Sequence, residues 1–242
     1  HAQNLLGLPI PGSRVNVSAV RILYEDDHLI AVDKPAGVIV HGDGTGSCTL
    51  TENVRDLVER RGGSPEQIAG VQALQRLDRE TTGIVLFSLR KETQAAFDRI
   101  IAERAIEKRY LAIASGRIRT PCEITAPIGR DRHDSRRMRV SRTGKSARTV
   151  ITPLDCAPAD QRAPERTLLE VDLHTGRKHQ IRVHMAHIGH PLLGDRLYGG
   201  PGAFQLMLHA AELAFTHPLT GERVRITAPY PKRFEALFDR RG

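Results

Sequence analysis

The apolar residues of this chain fall in short runs, several rich in Val and Ile, and polar turns set those runs apart. Runs of this kind bury as strands in a sheet. Helix-length amphipathic stretches come between them without a regular beat, which argues against a doubly wound parallel sheet. The expected fold is α+β: a long mixed, mainly antiparallel sheet with helices packed on it. Aromatic residues make up only 4% of the 242 residues and Trp is absent, so the core must be aliphatic. A chain of this length forms one large domain or two small ones and buries enough surface to need no cross-links.

Residues 1–20 contain Pro9, Pro11, Gly12 and Ser13 and are expected to form an arm or linker, with residues 21–242 as the domain proper. Two strands are expected over residues 21–25 and 28–33, turning at Asp26 and Asp27, with Lys34-Pro-Ala-Gly37 ending the second. Helical spacing of Leu50, Val54, Leu57 and Val58 predicts a helix to Arg60, capped by Thr49. Further strands are expected at residues 84–89, 110–114, 149–154, 167–173, 206–214 and 223–226. Thr93 is expected to cap a helix over residues 94–102. A helix is also expected over residues 178–188, with Ile181, Met185 and Ile188 on one face and Gly189 just beyond its end.

The formal net charge is +8, which favours a nucleic-acid partner. Residues 130–148 hold eight Arg or Lys against only Asp131 and Asp134. That stretch fits a phosphate-contacting loop, a solvated surface or a partly disordered segment. It contains no aromatic residue, so as a nucleic-acid contact it would grip backbone rather than stack bases. Cys48, Cys122 and Cys156 are odd in number and widely spaced, against both a disulfide framework and a thiolate zinc site. No apolar run approaches the length of a membrane span and no signal peptide is read before the first strand. A cytoplasmic monomer is expected.

Two polar clusters invite chemistry. In Gln75-Arg-Leu-Asp-Arg-Glu-Thr-Thr-Gly83, Asp78 lies between Arg76 and Arg79, and nearby positive charge favours the ionised carboxylate. Such a carboxylate on a loop can act as nucleophile or base; the same residues would equally make a solvated turn with surface ion pairs. The second cluster, Thr175-Gly-Arg-Lys-His-Gln-Ile-Arg-Val-His184, opens the last long helix. Arg177 and Lys178 at a helix N-terminus attract anions, and Arg182 can pair bidentately with a carboxylate from elsewhere in the fold; an ordinary basic helix face is the alternative. His184, His187 and His190 lie three apart, but without a nearby Cys or an H-E-x-x-H they are not expected to hold a metal.

Taken in order, these segments carry a resemblance. From about residue 21 to 231 the chain resembles the RluA-type pseudouridine synthases. The stretch from Ile22 through Lys34-Pro-Ala-Gly37 is similar to that family's opening hairpin and Lys-Pro turn, and residues 75–83 to its catalytic signature. Lys108-Arg-Tyr-Leu-Ala112 is similar to the segment that supplies its tyrosine. Gly144-Lys-Ser-Ala147, residues 175–195 and Leu208-His-Ala210 are similar to its later motifs. The resemblance implies a pseudouridine-synthase catalytic fold with a central RNA cleft, and isomerisation of uridine to pseudouridine in structured RNA. Large-subunit (23S) ribosomal RNA is the favoured target, with tRNA or both as the alternative.

The resemblance also implies roles. Asp78 is the catalytic aspartate and Arg182 its partner. Arg76 holds the target nucleotide out of its helix or fills the gap it leaves, Tyr110 stacks on the uracil, and Ile181 lines the base pocket. Arg136, Arg137, Arg139, Lys145, Arg177 and Lys178 are expected to face RNA backbone. The family usually has His where this chain has Gln75, but that His carries no chemistry, so activity is expected to persist. Many relatives also carry an N-terminal S4-type RNA-binding domain; none is read in residues 1–242, so either the protein lacks it or the chain is cut at the linker in residues 1–20. The reaction breaks N1–C1′ and rejoins the uracil through C5; nothing is oxidised or added, so neither cofactor nor metal is expected. Two rivals remain: a non-catalytic RNA-binding or ribosome assembly factor, and a nucleosidase or glycosidase. The latter needs a second carboxylate about 5 Å away, for which Glu80 is the nearby candidate.

Overall fold

The structure, a computed structural model, describes residues 20–42 and 48–238. The expected arm lies outside them apart from Val20, which packs against the main core. Strands β1 (Arg21–Glu25) and β2 (Leu29–Lys34) form the expected hairpin. Asp26 closes it, its Oδ1 accepting the N–H groups of His28 and Leu29. Helix α1 (Leu50–Arg60) starts at a capping box in which Thr49 and Glu52 each bond the other's backbone N–H. Then come α2 (Pro65–Gly70), β3 (Gln72–Ala73), β4 (Thr82–Ser88), α3 (Gln94–Ala102) and β5 (Glu107–Ser115). The second half contains β6 (Cys122–Ile124), β7 (Ile128–Arg130), β8 (Met138–Val140), β9 (Thr149–Ala157), β10 (Arg166–Leu173), α4 (Gln180–His187), β11 (Leu208–Thr216), β12 (Arg223–Thr227) and α5 (Lys232–Glu235).

One sheet runs β1-β2-β4-β11-β5-β10-β9-β6, with β3 added to β4 and β12 to β11. Its pairings are antiparallel except β4 with β11, which makes it the mixed, mainly antiparallel sheet expected. Strand β4 meets β11 only at Thr82 and Gly83, and β12 takes over from Glu212 onward. Gly83 sits at φ +108°, where a Cβ would meet the Ala210 carbonyl oxygen at 2.2 Å. Only glycine lets the two strands close there.

A cross-strand row runs Lys34, Gly83, Ala210, Tyr110, Val171, Ile151. On this face α1 and α4 bury Leu50, Val54, Ile181 and Met185 against Tyr110, Ala112, Leu169 and Val171. The opposite face packs Phe97 and Ile100 of α3 against Leu86, Phe215 and Ile226, and Phe234 of α5 against Ile113 and Leu168. The core is aliphatic as expected, with a few Phe under α3 and α5.

Three local expectations are corrected. Helix α4 begins at Gln180 rather than Lys178, because His179 adopts the left-handed conformation at φ 56° and breaks the helical run. Thr93 stands at the N-cap position of α3 as expected, but its hydroxyl donates to the Arg90 carbonyl instead of accepting a helix N–H, and a short 3-10 turn, Lys91–Thr93, leads into the helix. The basic stretch is folded into a two-stranded hairpin that begins just before it, β7 with β8, whose Ile128 and Met138 pack with Val183 of α4 and Tyr198. The elements not anticipated, α2, β3, β6, β7, β8 and α5, are too short to show a hydrophobic period.

Candidate active site

Asp78 lies on the loop between β3 and β4, and four contacts fix that loop. The side chain of Leu77 is buried in the main core. Gln75 Nε2 donates to the Ile84 carbonyl, tying the incoming limb to β4; a side-chain amide therefore does structural work where the family usually has His. The Arg79 carbonyl accepts the Gly37 N–H and Lys34 Nζ, both at 2.9 Å. Lys34 is fully buried, and its other two donors go to the carbonyls of Pro35 and Val38. Burial pushes its pKa down to about 7 although the charges of Glu80 and Asp78 oppose this. Three carbonyls at 2.7–2.9 Å match the three donors of an ammonium.

The other wall comes from the segment entering α4. Gln180 is buried. Its Oε1 accepts from the Thr175 hydroxyl and the Arg177 N–H, and its Nε2 donates to the Arg148 carbonyl and Thr149 Oγ1. One amide thus joins the loop, the helix and β9. Two residues on, Arg182 projects its guanidinium at the carboxylates. Its Nε and Nη2 donate to Asp195 Oδ2 and Oδ1, both at 2.8 Å, and its Nη1 donates to Asp78 Oδ2 at 3.3 Å. Burial disfavours its charge, but the hydrogen bonds and charge of Asp195, with Asp78 added, hold its pKa above the ordinary arginine value.

These walls enclose a cleft of about 870 Å³ lined by Arg76, Asp78, Tyr110, Ile181 and Arg182, so the five residues with implied substrate roles share one cavity. Asp78 keeps 22% of its side-chain surface exposed. Tyr110 is buried, and burial with the charge of Asp78 raises its pKa. Arg177 and Lys178 also line the cleft. Arg136, Arg137, Arg139 and Lys145 do not; they sit on the hairpin segment beside α4, where Arg136 pairs with Asp134 and Arg137 lies over the Tyr198 ring. Glu80, the second carboxylate a glycosidase would need, is exposed and is not part of the cleft wall.

His184 engages Thr149 Oγ1 and the Ala126 carbonyl, and His190 Nδ1 lies 2.8 Å from the Ser115 carbonyl oxygen. Among the described residues no group of three His, Cys, Asp or Glu is placed to hold a metal ion. No helix among them is long and apolar enough to cross a membrane.

Lys34, His179, Asp195 and Tyr198 belong to this site but were not singled out from the sequence. Lys34 and His179 stand inside recognisable motifs, so local signals existed for them. Asp195 closes the same 175–195 motif that holds His179, but nothing local marks it as the partner of Arg182, and Tyr198 lies beyond that motif.

The RNA pseudouridylate synthase family model matches residues 28–187. A protein of Bacillus subtilis described as an uncharacterized RNA pseudouridine synthase, YhcT, is 36% identical over 219 residues, covering 89% of this chain and 70% of that protein. The ribosomal large subunit pseudouridine synthase D of Nitrosomonas europaea is 37% identical over 230 residues, covering 90% of this chain but only 64% of its own length. The solved structure of human RNA Pseudouridylate Synthase Domain Containing 1 superposes with a TM-score of 0.74 at 26% identity, covering 90% of this chain and 86% of that one. This chain belongs to the RNA pseudouridylate synthase family. Its class is that of enzymes that isomerise uridine within RNA, and its α+β fold is the one those enzymes share.

Proposed function

We propose that the chain isomerises a uridine of large-subunit ribosomal RNA to pseudouridine and that Asp78 is the reacting carboxylate. The observation that carries this reading is the ion pair of Asp78 with buried Arg182 in a cleft that also presents Tyr110. The ribosomal target draws support from relatives named as large-subunit synthases.

The target base must leave its stack, which costs a few kcal/mol and least where it is unpaired. The Tyr110 ring stacks on the everted uracil and returns about 1–3 kcal/mol. Arg76, exposed at the cleft, holds the nucleotide or occupies the gap it leaves. As the base enters, water leaves, and Arg182 offsets the loss of hydration around the Asp78 carboxylate. That carboxylate then attacks C1′ or takes the proton from C2′, and N1–C1′ breaks. Ile181, buried on α4 against the cleft, helps confine the freed uracil while it turns to present C5 to C1′. Arg177, Lys178 and the basic hairpin hold the surrounding phosphates.

Asp78→Asn is nearly isosteric. It is expected to leave RNA binding largely intact and to abolish turnover, read by mapping pseudouridine in large-subunit RNA incubated with each protein. Near-normal pseudouridine from the variant refutes the assignment. Release of free uracil by the wild type would point to a nucleosidase.

A further inference from the structure

The two oxygens of Asp78 face different groups. Oδ2 meets Arg182, whereas Oδ1 lies 3.8 Å from His179 Nε2. The other ring nitrogen, Nδ1, is 2.7 Å from the Tyr198 hydroxyl oxygen. That oxygen also accepts the Met138 backbone N–H at 2.9 Å. A backbone N–H can only donate, so the Tyr198 oxygen must accept there. Its own hydrogen then has one acceptor among the described residues, His179 Nδ1. The opposite tautomer would leave that hydroxyl hydrogen, on a buried side chain, with nothing to bond. Donation from Tyr198 to Nδ1 requires a neutral imidazole with its hydrogen on Nε2, the nitrogen that faces Asp78.

The surroundings hold this arrangement in place. The Tyr198 ring stands edge-on to the imidazole, with centroids 5.7 Å apart at 82°. The Arg182 guanidinium lies 5.1 Å from the Tyr198 ring centroid. Asp195, the bidentate partner of Arg182, also accepts the Tyr198 N–H. His179 itself is kept at φ 56°, a conformation non-glycine residues adopt only when their surroundings require it.

We propose that His179 is a positioning residue for Asp78, with its tautomer set by the Tyr198 hydroxyl, and that its Nε2–H closes to a hydrogen bond on Oδ1 when a nucleotide fills the cleft. At 3.8 Å the pair is beyond hydrogen-bonding distance, and such contacts commonly tighten only once substrate is bound. With Arg182 on Oδ2 and His179 on Oδ1, the plane of the carboxylate is fixed relative to the sugar. This rests on Asp78 being the reacting carboxylate but adds residues and a hydrogen position that the proposed function does not need.

Tyr198→Phe keeps the ring and its contacts and removes only the hydroxyl. Removing one positioned hydrogen bond is expected to lower kcat about tenfold, with KM for RNA little changed. His179→Gln, which retains an N–H donor, is expected to keep more activity than His179→Phe, which retains only bulk. Long-range proton–nitrogen NMR of the wild-type protein should show His179 protonated on Nε2 alone, and that preference should be lost in Tyr198→Phe. A wild-type spectrum with the hydrogen on Nδ1, or unchanged kcat in folded Tyr198→Phe, overturns the proposal. Should Tyr198→Phe fail to fold, equal activity of the two His179 variants overturns it instead. The spectrum is read on the protein alone, so it separates failure of this inference from failure of the activity reading, which Asp78→Asn tests.

Discussion

Arg182 binds Asp195 through two hydrogen bonds of 2.8 Å and Asp78 through a single one of 3.3 Å. The fork of the guanidinium is therefore spent on a fully buried carboxylate, and Asp78, the proposed reacting carboxylate, receives the remaining nitrogen. This division of labour suits a site where one anion anchors the arginine and the other must be free to meet a substrate.

Asp195→Ala is expected to destabilise the fold by about 3–5 kcal/mol, because a buried guanidinium loses its bidentate partner. Arg182, no longer braced, should also hold Asp78 less well, so turnover should drop even where the protein remains folded. Urea unfolding and single-turnover kinetics check the two effects. A loss below about 1 kcal/mol, typical of a surface pair, would contradict the anchoring role.

Lys34→Met removes the three donors that satisfy the carbonyls of Pro35, Val38 and Arg79. The Arg79 carbonyl keeps the Gly37 N–H and Pro35 is exposed, so the Val38 carbonyl is the acceptor left stranded, and a loss of about 1–3 kcal/mol is expected. The Arg79 carbonyl belongs to the loop that carries Asp78, so kcat should fall as well. Stability within about 0.5 kcal/mol of wild type, the range of an ordinary surface substitution, would show that Lys34 is not what pins that loop.

Acidification should destabilise the protein through His209. Burial, then the charge of Arg233, lowers its pKa to about 4 from an ordinary 6.5. Above pH 6.5 the residue is neutral in both folded and unfolded chains. Between pH 6.5 and 4 the unfolded chain takes up a proton that the folded chain refuses, so stability falls as pH falls, by on the order of 3 kcal/mol at the limit. His179 and His184, whose pKa values burial also lowers, act in the same direction. Melting temperatures of wild type and His209→Gln across this window provide the check, with a flatter profile expected for the variant and an identical one counting against the assignment.

The basic hairpin should contribute affinity rather than chemistry. Arg136, Arg139 and Lys145 are exposed and outside the cleft wall, so converting all three to Gln should leave the fold unchanged. RNA binding should weaken, and its salt dependence should flatten by roughly 0.7–0.9 in log–log slope for each phosphate that the variant no longer neutralises. At saturating RNA, kcat should stay near wild type. An unchanged salt slope would place the RNA on another face.

The strands most readable in the sequence were those with long apolar runs, such as β4, whose seven residues are all buried. Thr49 as a cap and Gly189 beyond α4 were equally legible, because caps act within one turn of chain. The basic hairpin was not: β7 and β8 have three residues each, and their burial depends on α4 and Tyr198 arriving from later in the chain. The start of α4 was misplaced for a related reason. The spacing continues through Lys178, but Gln180 draws the Thr175 hydroxyl and Arg177 N–H into a loop instead.

Composition and pattern determined by themselves the aliphatic sheet, the basic surface and the motif around Asp78, since these depend on residue type and near neighbours. They also marked Arg182 as a guanidinium in need of a carboxylate. Tertiary structure alone decided that two carboxylates answer, that Asp195 takes the fork, and that Tyr198 reaches His179 behind Asp78. Such contacts join residues from separate segments, and the sheet register that brings Gly83 beside Ala210 and Ala210 beside Tyr110 is set by side-chain packing across the whole core rather than by any local run of residues.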